Sequence, residues 1–87
     1  MVTPIFSLNG CIGQLVELSE LESHEYKSRA YKNAAEELEY EYTGYEDDFQ
    51  KCEDFTWIDG IGSGINLKIL EYKVNGIITK LQTLRAE

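Results

Sequence analysis

The sequence predicts an all-α protein, a small bundle of four to five helices. Three observations predict it. Apolar residues recur three and four positions apart along most of the chain, and no strand-like alternation of useful length occurs. A glycine-rich stretch, "DGIGSG" at 59–64, separates two apolar segments in the manner of a tight turn between helices. The chain has 87 residues, 43% of them hydrophobic, including six tyrosines, three phenylalanines and one tryptophan. That is enough to bury one core, so residues 1–87 read as a single domain rather than a disordered chain.

Each element follows from its own residues. Ile12, Leu15 and Val16, with the small Ser19, mark a first helix starting after Asn9-Gly10. In the second, Tyr26, Ala30, Ala34 and Leu38 recur every four residues, with Tyr31 and Ala35 beside them. Alanine has the best helix propensity, and its small side chain lets a neighbouring helix come close. Thr43-Gly44 offers this helix a stop near Tyr42. Phe49 and Cys52 with Phe55 or Thr56 suggest a short third helix capped by Asp47 or Asp48. A fourth follows the glycines and ends at Asn75-Gly76. Its Ile65, Ile69 and Tyr72 fall on one side and Leu67, Leu70 and Val74 on the other, the pattern of a helix held between neighbours. "IITKLQTLRAE" supplies a last short amphipathic helix. The only proline is Pro4.

Charge and cysteine content exclude several classes. The net charge of −8 comes entirely from residues 36–54, which hold nine acidic residues and one lysine; acids and bases balance elsewhere. Such a segment is either a solvated face or a docking surface for a basic protein partner. Cys11 and Cys52 are far apart, with only His24 for company, so Cys and His alone cannot supply the four ligands of a zinc site, and two reduced, largely buried thiols are the expectation. His24 reads as an exposed loop residue. No apolar run is long enough for a membrane span, and "MVTPIFSLNGCIG" lacks the marks of a signal peptide. The expectation is a soluble, intracellular protein with no membrane partner.

The glycine stretch carries the chemistry. In "DFTWIDGIGSGINLKI", Gly60 and Gly62 permit positive φ or a close approach, and Ile61 between them can plug into the core. Ser63 can begin the next helix, whose free N–H groups would then point outward with those of the turn and could hold a phosphate oxygen. This arrangement resembles a helix-hairpin-helix motif, which binds the DNA backbone without reading sequence. The other reading is an interhelical turn with no ligand.

A wider resemblance covers about Ile12 to Leu84. "YKSRAYKNAAEEL" followed by "IDGIGSGINLKILEYKVNGIITKLQTL" is similar to the N-terminal 8-kDa domain of the family X, polymerase-beta-like DNA polymerases. That resemblance implies binding to gapped DNA or 5′-phosphorylated ends during DNA repair, in the nucleus or another DNA-containing compartment. In some members it also implies 5′-deoxyribose phosphate lyase chemistry, in which a lysine amine attacks the sugar aldehyde, forms a Schiff base and permits β-elimination. The Schiff-base lysine would be Lys68, assisted by Tyr31. DNA contacts would come from Lys27, Lys80 and the hairpin residues Gly60, Ile61, Gly62, Ser63 and Gly64. The carbonyls of Thr56, Ile58 and Ile61 would hold a Na⁺ or K⁺, the only cofactor implied. The chain carries no polymerase domain and would not synthesise DNA by itself.

The sequence also departs from that family. Asp59 replaces a proline before the first hairpin glycine, Gly64 a phosphate-contacting lysine, Tyr26 a histidine and Leu67 a glutamate, while Asn66 stands where a small alanine is common. A lyase amine must be neutral when it attacks, so its pKa must be lowered. Partial burial beside Ile65, Ile69 and Tyr72 and nearby lysines would favour that. Glu71, three residues on, is within reach of an ion pair that would oppose it. Lys68 as a solvated or phosphate-contacting lysine is the alternative. A protein-interaction or regulatory module using the acidic face of residues 36–54 is the alternative for the whole chain.

Overall fold

A computed structural model describes residues 6–87, so Pro4 and the start of the N-terminal stretch lie outside the described residues. Five helices follow one another: α1 (Leu8–Leu21), α2 (Glu25–Tyr42), α3 (Glu46–Lys51), α4 (Ser63–Asn75) and α5 (Thr79–Ala86). There is no strand among the described residues. The all-α bundle is therefore as the spacing predicts. None of its helices is long and apolar enough to cross a membrane.

Helices α1 and α2 form the main packed pair. Leu15 and Leu18 of α1 face Ala34, Ala35 and Leu38 of α2, all within the buried core. The alanines leave room for this approach. Ile69 and Tyr72 of α4, with Ile78 and Leu81, close the core from the other side. Fully burying each of these large aliphatic side chains contributes about 1.5–3 kcal/mol.

Helix ends explain the boundaries. The first helix begins at Leu8, three residues earlier than a start after Asn9-Gly10, because Ser7 caps it: its hydroxyl accepts the Gly10 amide at 3.2 Å. The Leu8 amide is also bound, at 3.1 Å, by the carboxylate of Glu46 at the start of α3. Helix α2 stops at Tyr42, with Gly44 at φ 84° just beyond. Gly76 ends α4 in the left-handed region, φ 77°, its amide bonded to the Tyr72 carbonyl.

Two expectations change. The third helix ends at Lys51 and starts at Glu46 after Tyr45, so neither Asp47 nor Asp48 is its N-cap and Phe55 and Thr56 lie beyond it. The second apolar side of α4 is buried only in part: Leu70 packs against the core, but Leu67 and Val74 are 67% and 76% exposed. Cys11 is buried, Cys52 is half-buried, and both are free thiols.

Candidate nucleic-acid interface

The stretch from Cys52 to Gly62 contains turns rather than a helix. Two successive i→i+3 bonds, Ile58 N–H to Phe55 O and Ile61 N–H to Ile58 O, both 3.1 Å, fold it back toward α4. The motif thus has two consecutive turns where its first helix was expected. Gly60 sits at φ 89°, a conformation that glycine adopts without strain. Gly62 does not need that freedom: its φ is −85°, and a Cβ added there would meet nothing within 4 Å. Phe55, Ile58 and Ile61 are buried and anchor the turn, while Trp57 is 60% exposed.

Polar groups fix this anchor. Asn66, buried in the first turns of α4, accepts the Phe55 amide through its side-chain oxygen at 2.7 Å. Asp54 accepts both the amide and the hydroxyl of Thr56, at 3.0 and 2.7 Å, and these bonds hold its carboxyl below the ordinary range. Lys73 reaches from α4 to donate to the carbonyls of Phe49, at 2.8 Å, and Cys52. Its ammonium lies 5.3 Å from the ring centres of both Phe49 and Phe55, and burial lowers its pKa. Lys73 is therefore committed to the fold.

A cleft of about 290 Å³ opens where α2, α4 and α5 meet. Lys27 and Tyr31 line it from α2, Gly64 and Lys68 from α4, and Lys80 from α5. The Lys68 ammonium stands 5.9 Å from the centre of the Tyr31 ring. Burial, helped by the charge of Glu22, raises the Tyr31 hydroxyl above its usual pKa, so it stays a neutral hydrogen-bonding group at physiological pH. Among the described residues the ion pairs are Arg29–Glu25 and Arg85–Glu17, so Lys27, Lys68 and Lys80 enter none.

The ion pair considered for Lys68 and Glu71 does not form at contact distance. Glu71 instead accepts the Thr79 amide at 2.8 Å and its hydroxyl at 2.6 Å, which caps α5 from outside. Those bonds are the first cause of its lowered pKa, and the charge of Lys68 is a lesser one. The carboxylate is thus oriented toward the helix that carries Lys80.

Five of the residues singled out from the sequence, Lys27, Tyr31, Gly64, Lys68 and Lys80, converge on this one cleft. The hairpin residues Thr56, Ile58, Gly60, Ile61 and Gly62 line a second, shallow hollow of about 510 Å³, together with Asp59. Ser63 is the first residue of α4, whose N-terminus carries no side-chain cap. Tyr26, 78% exposed, also lines the lysine cleft. Asn66, Glu71 and Lys73 support the site through partners eight to twenty-four residues away, which no local spacing reveals. Among the described residues no group of three His, Cys, Asp or Glu side chains could hold a metal ion. The chain matches no protein-family model, no curated protein and no solved structure.

Proposed function

We propose that this chain is a DNA-binding module that grips the phosphate backbone at 5′-phosphorylated ends or gaps. The observation that carries the reading is the convergence of Lys27, Lys68 and Lys80, from three different helices, on one cleft of a chain whose net charge is −8. The uncapped N-terminus of α4 enters the same cleft through Gly64, so main-chain amides and ammonium groups can address one phosphate together. Gly62 and Gly64 leave that helix end bare, and neither glycine is required by packing within the chain.

Thr56, Ile58 and Ile61 line the hairpin hollow, and their carbonyls are the groups that would hold a Na⁺ or K⁺. The Ile58 carbonyl already accepts the Ile61 amide and has a second lone pair to offer. A cation there would add positive charge beside a bound phosphate.

Fluorescence anisotropy on a gapped duplex, with and without a 5′-phosphate, tests the reading. Three phosphate contacts give a slope of log affinity against log salt of about −2.7. Lys27→Ala, Lys68→Ala and Lys80→Ala should each weaken binding and make that slope shallower by about 1. No binding at low salt, or binding indifferent to all three substitutions, sinks the proposal.

Lyase chemistry is the narrower form of this reading. The neutral Lys68 amine would attack the sugar aldehyde and lose water to form an imine. Loss of a C2′ proton to water would then break the C3′–O bond and release the 5′-phosphorylated strand, and hydrolysis of the remaining imine would free the lysine. Borohydride trapping on DNA carrying a 5′-deoxyribose phosphate reads that imine. An adduct absent from Lys68→Ala makes the chain a lyase; no adduct, with gapped-DNA binding intact, leaves a binding module.

A further inference from the structure

We propose that the groove between α1 and α2 is a docking surface for an amphipathic helix of a partner protein, one flanked by lysine or arginine. This groove, of about 300 Å³, lies on faces of α2 other than the one that lines the lysine cleft. Its apolar part is formed by Ile12 and Val16, one turn apart on α1, over a floor that includes the buried Ala35 of α2. Val16 is 38% exposed although it lies beside the core. Glu20, Glu36 and Glu39 border this strip, against the single cation Lys32. None of the three carboxylates is in an ion pair among the described residues.

Apolar residues one turn apart, between two helices, match the spacing by which a third helix seats its own i and i+4 side chains. The charges then select the occupant. A basic flank meets three carboxylates, whereas nucleic acid and anionic lipid are repelled. A second copy of this chain would set the same glutamates against one another across a two-fold contact. The partner is therefore a basic, amphipathic helix.

The geometry narrows the acidic face of residues 36–54 to its α2 portion. Glu46 cannot serve as a free docking group, because its carboxylate binds the Leu8 amide and the side chain of Gln50. Asp47 and Asp48 line a different hollow with Tyr45 and Lys51.

The test is an NMR titration of the isotope-labelled chain with a short synthetic peptide of leucine and lysine in helical spacing. A scrambled peptide of the same composition serves as the control. The expected result is saturable shifts at Ile12, Val16, Ala35, Glu36 and Glu39 with the patterned peptide alone. Glu36→Gln with Glu39→Gln should weaken binding roughly fivefold, as expected for two exposed ion pairs, and Lys27→Ala should not change it. Val16→Asp should abolish binding; Val16→Ala, a milder change, should weaken it if the aspartate variant fails to fold. Absent or non-saturable shifts overturn the proposal, as do equal shifts with the scrambled peptide. Shifts centred on Asp47 and Asp48, or shifts that follow protein concentration without peptide, overturn it in favour of diffuse charge attraction or self-association.

Discussion

Asn66→Ala tests whether one buried amide holds the glycine turn against α4. The substitution keeps a good helix former and removes the oxygen that accepts the Phe55 amide at 2.7 Å. Phe55 is fully buried, so its amide is left with neither water nor a protein partner. An orphaned buried donor costs about 1–3 kcal/mol, against roughly 0.5 kcal/mol gained from alanine's helix propensity. A net loss of about 1.5 kcal/mol lowers the melting temperature of a domain this small by roughly 6–12 °C. Asn66→Asp keeps an acceptor oxygen in place, and a carboxylate near the start of α4 is favoured by the helix dipole. It should lose less stability than the alanine variant. Thermal and urea unfolding give the magnitude, and hydrogen exchange at the Phe55 amide gives the location. If Asn66→Ala melts within about 2 °C of the parent and the Phe55 amide stays protected, the reasoning is wrong.

Gln14 donates to the Gly76 carbonyl and accepts the Ile78 amide, both at 2.9 Å, so Gln14→Ala should cost about 1–3 kcal/mol in urea unfolding; a loss within experimental error would count against that bridge. Gly60→Ala, at φ 89°, should cost about 1–2 kcal/mol, whereas Gly62→Ala should leave stability within about 0.5 kcal/mol of the parent and weaken DNA binding. Equal losses of stability from the two glycine variants would contradict the turn geometry. Burial raises the Cys11 thiol from 9.0 to about 12 and lifts Tyr31, Tyr42 and Tyr72 above 10.0. The unfolded chain sheds these protons first, so the folded state holds more of them and stability falls as pH climbs above about 9. Melting temperatures across that range should show the fall, with Cys11→Ala softening its onset. Lys73 has the opposite sign: burial lowers its pKa below 10.5, the unfolded chain holds the proton longer, and its contribution rises with pH toward that value. Lys73→Met should therefore steepen the alkaline decline, and an unchanged slope would show that Lys73 does not contribute to it.

The bundle was legible where local spacing and the buried face coincide. In α2 the four-residue repeat of Ala30, Ala34 and Leu38 and the Thr43-Gly44 stop give both the helix and its end. Gly76 likewise ends α4 where Asn75-Gly76 indicated. The shortest helix was less legible: Phe55 packs against Phe49 and Tyr42 from a turn, so its apolar character reports burial rather than helical spacing. Leu67 and Val74 misled in the opposite direction, since an apolar residue on a helix can remain exposed. The lysine cleft became visible because a resemblance joined Lys27, Lys68 and Lys80 across fifty-odd residues; charge spacing alone does not join them. The partners of Asn66, Glu71 and Lys73 were not legible for a physical reason. Each binds a main-chain group on another segment, and a main-chain acceptor or donor leaves no mark in the side-chain sequence.

Helix α5 is one short element held at both ends by polar clips. Gln14 secures the chain just before it, Glu71 caps its first turn, and Arg85 forks onto Glu17 at 2.6 Å near its last turn. An eight-residue helix is not stable by itself, so its residence on the bundle depends on those clips and on the seating of Ile78 and Leu81. Opening of α5 alone would mean breaking those clips and exposing Ile78 and Leu81. Because α5 carries Lys80, such a departure would remove one wall of the lysine cleft. The wall of the cleft that carries Lys80 thus stands only as firmly as three polar clips and two buried aliphatic side chains hold it.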